Sequence, residues 1–180
     1  DPAFCQTVPQ AILVRTWGEG LVRFGEGTRI LPELAERWEI DPAGTAYTFH
    51  LRRGVRWHEG GTLAAADVKA SLERYLSPAT AAPLAMLFDG IEGYDDFRAG
   101  RTPGVAGLEA PSSALFRVRL SRPVPFFLQL LTLPDITVLP PSLVADGARA
   151  RRSPTGTGPF APREITFGKV ARFDRSDSYW

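Results

Sequence analysis

His50 and His58 are the only histidines of the 180 residues, and Cys5 is the only cysteine. Catalysis needs a nucleophile beside a base, a convergent pair of carboxylates, or a metal. His50 falls inside an alternating apolar stretch and His58 beside the glycine pair Gly60-Gly61, so neither sits next to a nucleophile in sequence. One cysteine without clustered histidines offers no zinc-site spacing. The acids are scattered, and no Gly-x-Ser-x-Gly elbow occurs. Thr155-Gly156-Thr157-Gly158 has the glycine density of a phosphate cradle. It lacks the four-residue spacer between glycines and the following Lys-Ser/Thr that place amides and a cation on a phosphate. Its glycines are read instead as allowing a tight backbone approach. Arg52, Arg53 and Arg56 around Trp57 could suggest a nucleic-acid patch, but Glu36, Glu39 and Glu59 flank them. They are read as a solvated strand face. These residues predict no enzyme, no cofactor, no metal and no nucleic-acid partner.

A net charge of +1 gives no field for polyanions. A hydrophobic fraction of 44% and a charged fraction of 23% are those of an ordinary globular chain. No run of about twenty apolar residues could span a bilayer. A lone cysteine forms no intrachain disulfide, so cysteine usage leaves the compartment open. Cys5 itself reads as an inert buried thiol.

The elements that must position any site centre on Leu34–Leu76. Asp41-Pro42-Ala43-Gly44 is a turn. Tyr47, Phe49 and Leu51 alternate with Thr48, His50 and Arg52, the period of a half-buried strand. Beyond Gly61, Val68, Leu72, Tyr75 and Leu76 share one helix face. Asp67, in that helix's first turn, complements the helix dipole. Upstream, Asp1–Gln10 reads as irregular, residues 11–24 start as a short helix or strand, Gly25–Thr28 is a turn, and Glu33–Arg37 reads as a short helix with Trp38 in the core. Downstream, residues 77–83 break the helix, 83–88 and 94–99 form short helical pieces, and 105–108 pairs with 115–120. Phe126–Leu131 reads as a helix apolar nearly all round and therefore buried. Residues 145–153 read as a loop and Val170–Phe173 as a last strand.

The same central stretch, LAERWEIDPAGTAYTFHLRRGVRWHEGGTLAAADVKASLER, resembles the signature region of the family 5 extracellular solute-binding proteins, which serve peptide and nickel importers of the ABC type. The match runs in order through Leu34, Ala35, Glu36, Trp38, Gly44, Tyr47, Thr48, Phe49, Leu51, Arg52, Gly54, Val55, His58, Gly60, Asp67, Val68 and Ser71. Trp17-Gly18-Glu19-Gly20-Leu21, Val118–Pro123, Thr155–Phe160 and Asp177–Trp180 are similar to further family elements. Asp1-Pro2 is similar to the end of a Leu-Asp-Pro element, from which an earlier start of the natural chain is expected.

The resemblance implies an α/β, periplasmic-binding-protein-like fold (type II, cluster C), with a mixed sheet and flanking helices. Residues 1–180 would form an N-terminal segment, lobe I with its extra subdomain, of a two-lobed protein whose second lobe is absent. It implies a receptor outside the cytoplasmic membrane, periplasmic or extracellular. Such a receptor meets the membrane only through permease subunits or a lipid anchor. Phe4, Gln6, Trp17 and Asp135 are the implied ligand-facing residues, Asp135 reading a cationic group or else being a surface-turn residue. Oligopeptides are the implied solute; nickel chelates, opines, oligosaccharides and a regulator's sensory domain are the alternatives. Residues 77–83 lack the basic and aromatic residues of nickel-binding relatives, which argues against a nickel chelate.

Overall fold

A computed structural model describes residues 1–166 and 169–180. A 3-10 turn at Pro2–Phe4 leads into α1 (Val8–Trp17). Hairpin β1 (Val22–Phe24) and β2 (Ile30–Pro32) follows, then β3 (Ala35–Ile40), β4 (Ala46–Leu51) and α2 (Ala65–Leu76). A 3-10 turn at Ala85–Phe88, α3 (Tyr94–Arg98), β5 (Leu108–Ser112), β6 (Leu115–Arg119) and α4 (Phe127–Leu130) come next. A 3-10 turn at Pro134–Ile136, α5 (Pro141–Ala145), α6 (Gly147–Arg152) and the hairpin β7 (Phe160–Thr166) and β8 (Val170–Arg175) complete the order.

The central sheet has the order β3-β4-β6-β5, and every pair in it is antiparallel. Alternation sets its two faces. Tyr47, Phe49 and Leu51 of β4 and Phe116 and Val118 of β6 point inward and are buried. Phe49 stacks on Phe116 at 6.3 Å, and Tyr47 meets Phe127 at 4.9 Å. Phe127 in turn meets Phe88 edge-on, and Phe88 meets Tyr75 of α2 at 5.8 Å. Aromatic pairs of this kind add to the burial of their area. The outward residues of the same strands are polar: Arg37, Glu39, Thr48, His50, Arg117 and Glu109.

The predicted turn is present. Gly44 adopts φ 70°, and Asp41 accepts the amides of Thr45 and Ala46 at 2.7 Å each. α2 buries Val68, Leu72, Tyr75 and Leu76, as its spacing requires.

Several expectations are corrected. Glu33–Arg37 is not a helix: Ala35–Ile40 is an edge strand, and Trp38 opposite Phe49 is half-buried. The first strand of the 105–120 pair is Leu108–Ser112 rather than 105–108. Residues 147–152 are helical, because the Asp146 carboxylate caps α6 by accepting from Ala148 and Arg149. Phe126 is 54% exposed, so the 126–131 segment is buried on one side only. Arg52 is not fully solvated; its guanidinium lies 4.0 Å above the Trp180 ring.

Two hydrophobic clusters result. The larger holds the sheet, α2 and α4. The smaller holds Cys5, Val14, Trp17, Leu139, Leu143 and Ala150, between α1, α5 and α6. Hairpin β7–β8 is largely exposed and reaches the smaller cluster through Phe173.

At the start of α2, Ala64 has the extended backbone of a cap residue, and its own N–H is taken by the Asp67 carboxylate at 2.9 Å. The cap acceptor is what is missing. Ala64→Ser should stabilise the protein by about 1 kcal/mol, read as a higher urea midpoint at unchanged slope.

Candidate functional site

The corner at the end of α1 brings the two clusters together. α1 starts from a full capping box: Thr7 Oγ1 accepts the Gln10 amide at 3.4 Å, and Gln10 Oε1 accepts the amides of Gln6 and Thr7. It ends at Trp17-Gly18, where the strap Thr155–Pro159 crosses. Gly158 donates its amide to the Trp17 carbonyl at 2.8 Å. A Cβ on Gly156 would lie 2.6 Å from the Trp17 carbonyl oxygen, and one on Gly158 2.6 Å from its carbonyl carbon. Both glycines are therefore required by contact with backbone that cannot move aside. The Gly156 amide is bonded to His58 Nδ1 at 3.2 Å. With both glycine amides already taken, the strap is not an anion cradle.

Beside this corner lies a groove of about 570 Å³, lined by Phe4, Cys5, Leu13, Val14, Trp17 and Arg151 among others. Phe4 is half-buried, with the Arg151 guanidinium 5.0 Å from its ring centre, a cation–π contact. Trp17 is only 3% exposed, so it forms the wall rather than a projecting platform. Gln6 is exposed on the approach to α1. Asp135 is not a surface-turn residue: it is 5% exposed, in the 3-10 turn that packs on Pro2–Phe4. Burial raises its pKa. Its charge, after burial itself, also pushes the Cys5 thiol up. The structure thus gathers Phe4 and Trp17 along one groove, leaves Gln6 exposed, and buries Asp135 in the turn that packs on Pro2–Phe4.

Sequence reading passed over two carboxylates at the same corner. Glu19 is buried and accepts from Tyr179 Oη at 3.2 Å and Trp180 Nε1 at 3.1 Å. The Thr157 hydroxyl lies beside it without a hydrogen bond of normal geometry. Burial outweighs these donors and raises the Glu19 pKa. Glu33 is also buried; it accepts the Gly20 amide at 2.7 Å and faces Arg15 at 3.3 Å. Arg15 also donates to the Thr132 carbonyl. Desolvation dominates over Arg15 and Gly20, and the Glu33 pKa rises to about 7. The available signal was a glutamate set between glycines and apolar residues, Gly18-Glu19-Gly20-Leu21-Val22. Among the described residues no group of three or more His, Cys, Asp and Glu side chains converges to hold a metal ion. No helix among them is long and apolar enough to cross a membrane.

Comparison with known proteins places this architecture. Residues 29–180 match the family described as bacterial extracellular solute-binding proteins, family 5 Middle. The periplasmic oligopeptide-binding protein OppA of Salmonella typhimurium is 30% identical over 186 residues, covering 100% of this chain and 34% of that protein. The crystal structure of Haemophilus influenzae OppA in complex with RPPGFSPFR superimposes with a TM-score of 0.89 at 29% identity, over 100% of this chain and 36% of that one. The binding protein AgaA from A. tumefaciens R10, solved with agropinic acid, gives a TM-score of 0.86 at 29% identity, over 100% and 34%. The chain belongs to the family 5 solute-binding proteins, which are transport-associated binding proteins rather than enzymes. It spans about a third of the length of the curated relatives it matches.

Two variants test the corner. Gly158→Ala drives a methyl into the Trp17 backbone and should destabilise by about 1–3 kcal/mol or more, measured by denaturant unfolding. Glu33 has a folded pKa of about 7, above its unfolded value of 4.5. Its contribution is therefore fully present below that unfolded value and is lost as pH rises through about 7. Glu33→Gln should remove this part of the pH dependence, so that the variant's Tm relative to the parent improves from pH 4.5 to pH 8.

Proposed function

We propose that the protein is the solute-capturing component of an ABC importer, with oligopeptides as its solute class. The observation that carries this reading is the superposition of the whole chain on an oligopeptide-binding protein solved with a peptide. In this reading residues 1–180 form an N-terminal segment, lobe I with its extra subdomain. The second lobe lies outside this chain. Solute contacts that exist only in the closed state drive the two lobes together, and the closed form delivers to permease subunits. The receptor works in the periplasm or outside the cell, free or lipid-anchored, with no nucleic-acid partner. A transport receptor is favoured over a regulator's sensory domain because the matched relatives are named as periplasmic binding proteins.

Within the chain, Phe4 and Gln6 are the residues we assign to direct solute contact. Trp17 and Asp135 stand behind them: Trp17 as the rigid groove wall and Asp135 as a buried carboxylate that answers a cationic solute group. The capping box holds the start of α1, and the Gly158–Trp17 bond holds its end, so the groove wall is ordered before solute arrives. Preorganisation of this kind lowers the entropic cost of binding.

Thermal unfolding of the whole protein tests the reading. Di- to hexapeptides should raise Tm by several degrees, since a ligand at about 100 times its Kd stabilises by about 2.7 kcal/mol. Phe4→Ala should reduce that shift while leaving the Tm of the free protein within a few degrees. A flat response to peptides with a clear shift from agropinic acid would replace peptide by an opine-type solute.

A further inference from the structure

His58 makes three hydrogen bonds to one short strap. Its backbone amide donates to the Gly156 carbonyl at 2.9 Å. Its ring Nδ1 accepts the Gly156 amide at 3.2 Å, and its ring Nε2 donates to the Gly158 carbonyl at 2.8 Å. A backbone amide is only a donor and a carbonyl only an acceptor. The ring is therefore neutral, with its proton on Nε2 and a lone pair on Nδ1. A second proton would turn Nδ1 into a donor facing another donor.

Among the described residues no carboxylate bonds the ring. The groups facing the ring from the strap are the Gly156 and Gly158 backbones. Thr157 between them turns towards Glu19, whose carboxylate is bonded to Tyr179 and Trp180. From the other side the strap glycines lie against the backbone and ring of Trp17 and the backbone of Gly18. On the histidine's own turn, Glu59 is bonded to Ser142 Oγ at 2.6 Å and to Arg149 at 3.1 Å. Partial burial, opposed only by the Gly158 bond, lowers the His58 pKa.

His58 lies between β4 and α2, on the larger cluster's side, and the strap leads directly into the β7–β8 hairpin. We propose that His58 is a proton-sensitive latch: neutral, it clamps Thr155–Pro159 to the β4–α2 turn through three bonds, and protonated it gives up the Gly156 amide and slackens the strap at that point. The His58 amide on the Gly156 carbonyl and the Nε2–H on the Gly158 carbonyl survive protonation, and the Gly158 amide on the Trp17 carbonyl still ties the strap to α1, so the change is centred on the Gly156 amide.

Nuclear magnetic resonance of the protein from pH 7.5 to pH 4.5 tests this. Long-range nitrogen–proton spectra should show the Nε2–H tautomer at pH 7.5 and a titration midpoint below the usual histidine range. Hydrogen-exchange protection of the Gly156 amide should fall tenfold or more across that same midpoint. In His58→Gln, which cannot titrate, Gly156 protection should not change with pH. In Glu19→Gln the fall should persist. The Nδ1–H tautomer at neutral pH would overturn the proposal. So would protection that ignores the His58 midpoint, or a fall that survives in His58→Gln and vanishes in Glu19→Gln. Should His58→Gln fail to fold, coincidence of the two midpoints in the parent protein decides. None of these readouts uses a solute, so failure here leaves the transport reading untouched.

Discussion

The carbonyl of Trp17 receives the amide of Gly158 at 2.8 Å, and the relation between the two hydrophobic clusters depends on that approach. Two glycines permit it, because a methyl at either would lie 2.6 Å from the Trp17 backbone. Around this contact the seam is polar. Glu19 holds Tyr179 and Trp180, Glu33 holds Gly20 and Arg15, and His58 holds the strap. An apolar seam between α1 and the sheet would tolerate sliding. A seam of directional bonds tolerates little, because each displaced partner leaves a buried polar group unpaired. Position is thereby fixed where the groove wall begins.

The central sheet divides its labour differently. Its inner face is aromatic and aliphatic and supplies the stability of the larger cluster. Its outer face carries ion pairs, Arg37 on Glu39, Arg117 on Glu109, and Arg119 on Glu92 and Glu109, with the His50 ring hydrogen-bonded between Arg37 and Glu39. These are exposed and screened, so each contributes little to stability. Arg37 and Glu39 lie on the edge strand β3, where charge discourages pairing with another chain. The arginines first read as a solvated face were thus partly misplaced. Arg53 and Arg56 are exposed, while Arg52 covers Trp180.

What the sequence made legible follows from the range of the forces involved. β4, β6 and α2 each carry their period in a few consecutive residues, and burial follows that period. Leu34-Ala-Glu-Arg-Trp38 has good helix formers, yet pairing with β4 makes it a strand; nothing local announces the partner. α6 was missed because Arg-rich residues after Gly147 look like a loop, although Asp146 is a proper cap. At the site, Phe4 and Trp17 do meet along one groove. Glu19 and Glu33 were not legible as buried groups. Their donors, Tyr179, Trp180 and Arg15, are distant in sequence, and a lone glutamate reads as solvent-facing until its partners are known.

Two titrating groups of the seam act in opposite senses. Glu33, protonated more readily when folded, favours the folded seam below pH 4.5 and loses that contribution towards about pH 7. His58, with its folded pKa lowered from 6.5, contributes fully above that value and loses its contribution as pH falls through the folded pKa. In the overlap between these windows one slope offsets the other, so global stability can stay level while both groups exchange protons. Acid neutralises Glu33 in its desolvated place, weakening its bonds to Gly20 and Arg15, and takes the Nδ1 acceptor from the Gly156 amide at His58. A melting curve alone would hide that exchange. The corner is therefore better described as two proton-sensitive ties on either side of one glycine contact than as a single rigid joint.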